Sequence, residues 1–277
     1  MRQYVVKEIT GSAGRWLEVS PARFPGWIAS FAERHGGAAP DTALTVALSG
    51  ENVIYTALDG AVAECHPPFP PVPELTDDAV SADPAASAEA VAAHALAPRA
   101  VGVLLVRLGG YAAGVFTGSP PQLAESKAGA RPVHGRSAAG GWSQHRFARR
   151  REKQAAEALQ AAADAAAGVF GRWAELQAAP IPDNSKRRPS GPHSPQRPGG
   201  PRGSQEQQGP HGLGLDAVVL GGDKRAVAEL RADPRLAPYL DLAAERFLTV
   251  PDPRLAVLKD TPRLFLAVRI RLTEPAA

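Results

Sequence analysis

The sequence has almost no cysteine and no long hydrophobic run. Cys65 is the single cysteine among 277 residues, which excludes an intramolecular disulfide and a thiolate-rich metal cluster. No stretch approaches 18 uninterrupted apolar residues, and the first residues lack the hydrophobic segment of a signal peptide. We therefore expect neither a membrane span nor secretion, and a lone cysteine is typical of the reducing cytoplasm.

The charges are unevenly distributed along the chain. Although the net charge is only +3, residues 1–98 sum to −7 and residues 99–277 sum to +10. The length suits one large domain or two ordinary ones, so this asymmetry predicts two modules, of which the second would bind a polyanion. The alternative is an excess of solvated arginines without a partner.

Residues 1–65 are predicted to form a small α+β module. Ser20 followed by Pro21 is typical of a helix start, and Asp59-Gly60 suits the tight turn of a β-meander. The predicted elements are strands at 4–6, 16–19, 44–48, 53–57 and 61–63 and a helix from 20 to about 35. The helix would bury Phe24, Trp27, Ile28 and Phe31. Residues 66–98 are predicted to be an extended proline-rich, acidic linker with a short helix at 85–96.

Residues 99–277 are predicted to form a mixed-sheet domain. Three strands come first and helices then alternate with strands, an order typical of an RNase H-like fold. The predicted elements are strands at 100–106, 111–116, 123–133, 215–220 and 264–272 and helices at 144–176, 224–231 and 236–247. The continuous apolar run 100–106 indicates a strand covered on both faces. A tract at about 180–212, with eight prolines and six glycines, is predicted to be a disordered insertion. The fold class is therefore α+β or α/β, with a long basic helix in the second module.

The stretch 131–153 is the most informative part of the sequence. It holds seven Lys/Arg against one acid, Glu152, and its first half is rich in glycine. Arginines at the start of a helix oppose the helix dipole, so local helix stability does not explain them. Phosphate binding explains them better, because four of the cations fall largely on one side of a helical wheel. These are Arg146, Arg149, Arg150 and Lys153. A solvated charged face is the alternative.

Gly141-Trp142-Ser143-Gln144 fits the pattern Gly-x-x-Gln and lies between the predicted antiparallel strands and the basic helix. In this respect residues 99–272 resemble the actinobacterial branch of the Vms-like release factors, which are related to eukaryotic-type class I release factors. That family carries its glutamine loop on an RNase H-like domain and inserts it into the peptidyl transferase centre. The resemblance implies a cytoplasmic peptidyl-tRNA hydrolase acting on stalled ribosomes or large subunits. Its implied partners are rRNA and peptidyl-tRNA, with no cofactor and no metal.

The resemblance also assigns roles to individual residues. Gln144 would be catalytic, and Gly140 and Gly141 would give its loop reach. A neutral amide cannot act as a general base, so Gln144 would orient a water molecule against the ester carbonyl while the RNA's terminal ribose hydroxyl moves protons. The residues expected to contact RNA are Arg136, Trp142, His145, Arg146, Arg149, Arg150, Arg151 and Lys153.

Two departures from termination factors narrow this interpretation. Trp142 and Ser143 interrupt the contiguous Gly-Gly-Gln, and the first module has no identifiable stop-codon-reading motif. Both favour rescue of stalled peptidyl-tRNA over codon-dependent termination. A non-catalytic ribosome- or RNA-binding module and a tRNA-cleaving nuclease of the same fold stay open as alternatives.

Two weaker motifs are given structural interpretations. The sequence Gly221-Gly222-Asp223-Lys224 lacks the Walker pattern and is predicted to be a tight strand-to-helix turn rather than a phosphate loop. Cys65-His66 has no partners at metal-ligand spacing and is predicted to place a buried thiol at a strand end.

Overall fold

The computed structural model describes residues 14–37, 43–76, 83–107, 109–130, 144–178 and 213–275, and from 144 to 152 it describes the backbone alone. Within these residues the chain forms two five-stranded sheets with helices packed on them, an α+β arrangement. The predicted strand at 4–6, the loop before Gln144 and the insertion at 180–212 lie outside the described residues.

The elements follow one another in this order: β1 (Arg15–Val19), a 3-10 turn (Pro21–Arg23), α1 (Phe24–Arg34), β2 (Leu44–Ser49), β3 (Asn52–Ala57), β4 (Val62–His66), α2 (Pro84–Leu96), β5 (Val101–Arg107), β6 (Gly110–Thr117), β7 (Gln122–Ala130), α3 (Gln144–Ala178), β8 (Ala217–Gly222), α4 (Lys224–Leu230), α5 (Ala237–Leu240), β9 (Ala243–Leu248), α6 (Leu255–Lys259), α7 (Pro262–Phe265) and β10 (Val268–Thr273).

The first sheet has the order β1-β10-β4-β3-β2 and is antiparallel throughout. The predicted meander is confirmed, and its first turn places Gly50 at φ +62°, a conformation that favours glycine. At the second turn the Asp59 carboxylate accepts a hydrogen bond from the Ala61 amide at 3.0 Å. One face of the sheet is covered by α1, which buries three of the four predicted side chains. These are Phe24, Ile28 and Phe31, whereas Trp27 is only partly buried and stacks on Phe31.

The second sheet has the order β7-β6-β5-β8-β9. The first three of its strands in the chain, β5 to β7, are antiparallel neighbours, and β8 and β9 run parallel to β5. The predicted mixed sheet is therefore confirmed, and its finer RNase H-like assignment stays a prediction. Residues 101–106 of β5 are all buried, as the continuous apolar run indicated.

Two predictions about the C-terminal segment are wrong. The helix expected at 236–247 is only the short α5, and Ala243–Leu248 instead forms edge strand β9 beside β8. The strand expected at 264–272 begins at Val268, after the short helix α7, and it lies between β1 and β4 in the first sheet rather than in the second. Both errors concern pairing partners distant in sequence, which local periodicity does not report.

The two sheets contact each other directly. The Arg246 guanidinium of β9 pairs with the Glu18 carboxylate of β1 at 2.9 Å and also donates to the Ala267 carbonyl. Phe265 packs edge-on against Phe116 of the second sheet and against Phe69, at centroid distances of 5.8 and 6.0 Å. The described part of the proline-rich linker, 66–76, is thus packed between the sheets rather than simply extended.

The placement of β10 generates a stability prediction. Ile270 is fully buried in the first core, so Ile270→Ala should lower the free energy of unfolding by about 2–5 kcal/mol, measured by denaturant titration. Thr273→Ala, at an exposed position of the same strand, should change it by less than about 0.5 kcal/mol. Equal effects of the two substitutions would contradict the placement of β10 in the first sheet.

Candidate functional site

The predicted site residues divide into those that the structure describes and those that it does not. Gly140, Gly141, Trp142 and Arg136 lie outside the described residues. Gln144 is the first residue of α3. The first turns of this helix then carry the predicted RNA contacts His145, Arg146, Arg149, Arg150, Arg151 and Lys153. The predicted helix is therefore confirmed, and seven of the eleven predicted site residues belong to it.

Helix α3 is long compared with the sheet on which it packs. Its 35 residues span about 52 Å. Among its described side chains, which begin at Lys153, the first fully buried one is Ala162. At 1.5 Å per residue, Gln144 lies about 27 Å along the helix from Ala162. We call Gln144–Ala178 the arm helix, because one part is packed and the other extends beyond the core.

The arm helix runs antiparallel to β5. Near its C-terminal end Phe170 lies against Gly102 at the start of β5, whereas Ala155 and Ala158 lie beside Arg107 at the end of that strand. The N-terminal part of the arm helix therefore passes the carboxyl ends of β5 and β8. From Ala155 to Gln144 it continues for eleven residues, about 16 Å.

Small side chains fix the arm helix close to the second sheet. The side chains that it buries against β5 and β6 are mostly alanine, namely Ala162, Ala163 and Ala166, with Val169 and Phe170. A Cβ atom at position 102 would lie 3.2 Å from Phe170 Cε1 and 3.0 Å from Leu215 Cδ1, so glycine makes room there. Close-packed surfaces of this kind resist sliding, because any shift opens voids or causes overlaps.

Polar contacts add a second set of restraints along the packed part of the arm helix. Arg172 donates to both carboxylate oxygens of Glu125 on β7, at 3.1 and 3.4 Å, and thereby lowers the pKa of Glu125. The Trp173 indole N–H donates to the Gly214 carbonyl at 2.6 Å. On the other side Arg235 donates to Asp164 at 2.8 Å. These contacts connect the arm helix to β7 on one side and to the segment after α4 on the other.

By their positions in the helix, four cationic residues of the arm helix fall on the side opposite its packed face. On a wheel of 100° per residue, positions 146, 149, 150 and 153 cluster about half a turn from Ala162 and Ala166. Lys153, whose side chain is 79% exposed, lies 4.0 Å from the carboxylate of Glu157 one turn further on. With the partial positive charge of a helix N-terminus, this face gives a local field that attracts phosphate groups.

Arg235 joins the arm helix to the segment after α4. It donates to Asp233 at 2.7 Å as well as to Asp164, and hydrogen bonding to Arg235 is the main reason why both carboxyl groups have lowered pKa values. The Gln160 amide also donates to Asp164 at 3.0 Å.

The two weaker motifs have the structures predicted for them. Asp223 ends the tight strand-to-helix turn and caps α4, accepting hydrogen bonds from the amides of Arg225 and Ala226 at 2.8 and 3.3 Å. Cys65 is fully buried in β4, and burial raises the pKa of its thiol. Among the described residues, no group of three or more His, Cys, Asp or Glu side chains is arranged to hold a metal ion.

Sequence reasoning missed Arg107, which ends β5. Its guanidinium Nη1 donates to the Val250 carbonyl at 3.0 Å, so the side chain reaches across the end of β8 toward the segment after β9. The available signal was a charged residue at the end of an otherwise apolar strand, directly before a glycine turn.

The contact between Arg235 and Asp164 generates a prediction for NMR titration. Because the folded-state pKa of Asp164 is lowered, its pairing stabilises the fold at neutral pH, and this contribution is lost as the pH falls through that lowered pKa. Arg235→Gln should move the pKa of Asp164 back toward 3.8, and Arg231→Gln, at a nearby exposed position, should leave it unchanged. An unchanged titration of Asp164 in the Arg235 variant would show that this restraint on the arm helix does not exist in solution.

Comparisons with known proteins address the second module. Among the described residues, no helix combines the length and apolar character needed to cross a membrane. A search of curated proteins found no match to the chain. The family model of the Actinobacteria/chloroflexi VLRF1 release factor matches residues 99–271, which is more than half of the chain and includes the whole arm helix. The chain therefore belongs to the Actinobacteria/chloroflexi VLRF1 release factor family, and its function is release-factor-like and ribosome-associated.

Proposed function

We propose that the protein hydrolyses the ester bond between a nascent peptide and tRNA on stalled ribosomes or large subunits, in the cytoplasm. The observation that carries this proposal is the position of Gln144, the last residue of the Gly-x-x-Gln motif. It begins an arm helix that extends about 16 Å beyond the carboxyl ends of β5 and β8. A single helix with its loop is narrow enough to enter a catalytic centre made of RNA, whereas a whole domain is not.

The chemistry requires one water molecule and no cofactor. The water oxygen forms a bond to the ester carbonyl carbon, the bond from that carbon to the terminal ribose oxygen breaks, and the ribose oxygen receives a proton. The products are a peptide with a free carboxylate and an intact deacylated tRNA. Gln144 holds the water in line with the carbonyl carbon, and its backbone amide donates to the oxygen that gains negative charge.

Gly140 and Gly141 give the loop its reach, and Trp142 stacks on a base, a contact worth about 1–3 kcal/mol in comparable sites. The arm helix supplies the electrostatic part of binding. From 144 to 153 the sequence has five Lys/Arg and one acid, so its formal charge is +4 with histidine neutral. Contacts of such a helix with RNA phosphates release counterions and hold the helix in one register on the RNA. Arg136 and His145 flank the motif in sequence and extend this surface.

The sheet topology supports the proposal. In the second module, three antiparallel strands are followed by a long helix and then by two parallel strands. This is the order expected of the RNase H-like domain that carries the glutamine loop in the release-factor family that the sequence resembles. The interruption of the motif by Trp142 and Ser143 favours rescue of stalled complexes over termination at stop codons.

Replacement of Gln144 is the direct test of the mechanism. Gln144→Ala should slow the release of nascent peptide from stalled ribosome–peptidyl-tRNA complexes by about 100-fold or more, because the attacking water is no longer positioned. Gln160→Ala, which removes an exposed glutamine of the same helix sixteen residues further on, should release peptide at the wild-type rate. Release is measured by gel separation of peptidyl-tRNA from free tRNA.

The same gel separates the alternatives. A full-length deacylated tRNA supports hydrolysis, and a shortened tRNA identifies a nuclease instead. Ribosome binding without any release by the wild type identifies a non-catalytic binding module. Equal release rates for wild type and Gln144→Ala would remove Gln144 from the mechanism.

A further inference from the structure

A crevice lies beneath the arm helix where that helix passes the carboxyl ends of β5 and β8. Its volume is about 200 Å³. The arm helix contributes Ala155 and Ala158, whose small side chains leave this space open, and the sheet side contributes Arg107 and Arg225. We call it the carboxyl-edge crevice. It contains none of the residues to which the sequence assigned a function.

The crevice lies at the carboxyl ends of two adjacent parallel strands. The chain leaves β5 by a hairpin to β6 on one side and leaves β8 toward α4 and β9 on the other. In open α/β sheets, ligands bind outside the carboxyl ends of the parallel strands.

Arg107 is held in position over this edge. Gly222 has φ +101°, and a Cβ atom at that position would lie 2.1 Å from the Val106 carbonyl oxygen and 3.1 Å from Arg107 Cγ. The side chain of Arg107 therefore passes over Gly222 at the end of β8, and its guanidinium donates a hydrogen bond to the carbonyl of Val250. Within the described part of the chain no carboxylate pairs with it, so most of its donors are available to a ligand.

Two carboxylates line the crevice beside its two arginines, and neither of them pairs with Arg107. Asp223 uses its carboxylate to cap α4. Glu229 pairs with Arg225 at 3.3 Å, but that arginine is 90% exposed and Glu229 is 51% exposed, so the pair is weak and easily exchanged for another anion. Lys224, also exposed, adds a third cation at this edge.

The size of the crevice limits the ligand. Pockets for drug-sized small molecules occupy about 300–1,000 Å³, so this space is too small for a whole nucleotide and large enough for one anionic group. Arginine forks bind phosphate oxygens in a fixed, often bidentate geometry.

We propose that the carboxyl-edge crevice binds a phosphodiester group of the RNA that the arm helix enters, with Arg107 and Arg225 as the donors. This inference rests on the proposed function, which supplies the RNA. It adds an RNA contact beside Ala155, about 16 Å from Gln144 along the arm helix, so that the RNA is held at both ends of the segment 144–155.

The test measures binding of the full chain to two probes, vacant large ribosomal subunits and deacylated tRNA, over a range of salt concentrations. The double variant Arg107→Gln, Arg225→Gln should reduce the slope of log K against log salt by about 0.9, because the contact with one phosphate group is lost. The control Arg34→Gln, Arg263→Gln removes the same charge from exposed arginines of α1 and α7 and should leave the slope unchanged.

A second variant changes the shape of the crevice without changing its charge. Ala158→Leu fills the space from the arm helix with a residue that also favours helix, and it should weaken binding about tenfold. Thermal unfolding of each variant verifies that it is folded. A reduced slope with deacylated tRNA alone assigns the phosphate to tRNA, and a reduced slope with subunits alone assigns it to rRNA. A reduced slope with both probes shows that the crevice binds a phosphate of either RNA.

Wild-type slopes and affinities in the crevice variants would overturn this inference, as would the absence of wild-type binding to either probe. The outcome is independent of the proposed hydrolysis, which fails instead if Gln144→Ala releases peptide at the wild-type rate.

Discussion

The close packing of the arm helix against the second sheet is the constraint on which the rest of the structure depends. A row of alanines and Phe170 lies against β5 and β6, and glycine at position 102 makes room for the aromatic ring. Because this contact is tight over residues 162–170, it fixes the direction of the whole helix. The backbone of the N-terminal segment follows that direction, which places the backbone of Gln144 beyond the sheet.

The same constraint orders the charges of the second module. By their positions in the helix, residues 146, 149, 150 and 153 fall on the face opposite the packed one, and Arg107 and Arg225 line the carboxyl-edge crevice from the sheet side. The first module, which is acidic in sequence, is joined to this domain through the last strand β10 and the pair of Arg246 with Glu18. The excess of positive charge therefore belongs to the second module.

Much of this was predictable from local sequence. The apolar run of β5, the turn after β3, the tight turn at 221–224 and the helix from Gln144 are each determined by neighbouring residues, and each is confirmed. The errors at β9 and β10 have a different origin, because an edge strand and a strand inserted between β1 and β4 depend on partners far away in sequence. Arg107 was missed for the same reason. It stands out only because the ends of β5, β8 and β9 lie side by side, and β8 and β9 are distant from Arg107 in sequence. The glycine loop before Gln144 lies outside the described residues, so its role stays a prediction.

The central claim is that the arm helix carries Gln144 to the ester bond of peptidyl-tRNA. A cryo-EM map of the protein bound to a stalled large ribosomal subunit tests this most directly. The account predicts that the N-terminal end of the arm helix points into the peptidyl transferase centre, with Gln144 beside the terminal ribose of the tRNA. A map in which that end faces solvent, or in which another surface of the second module contacts the RNA, would contradict it.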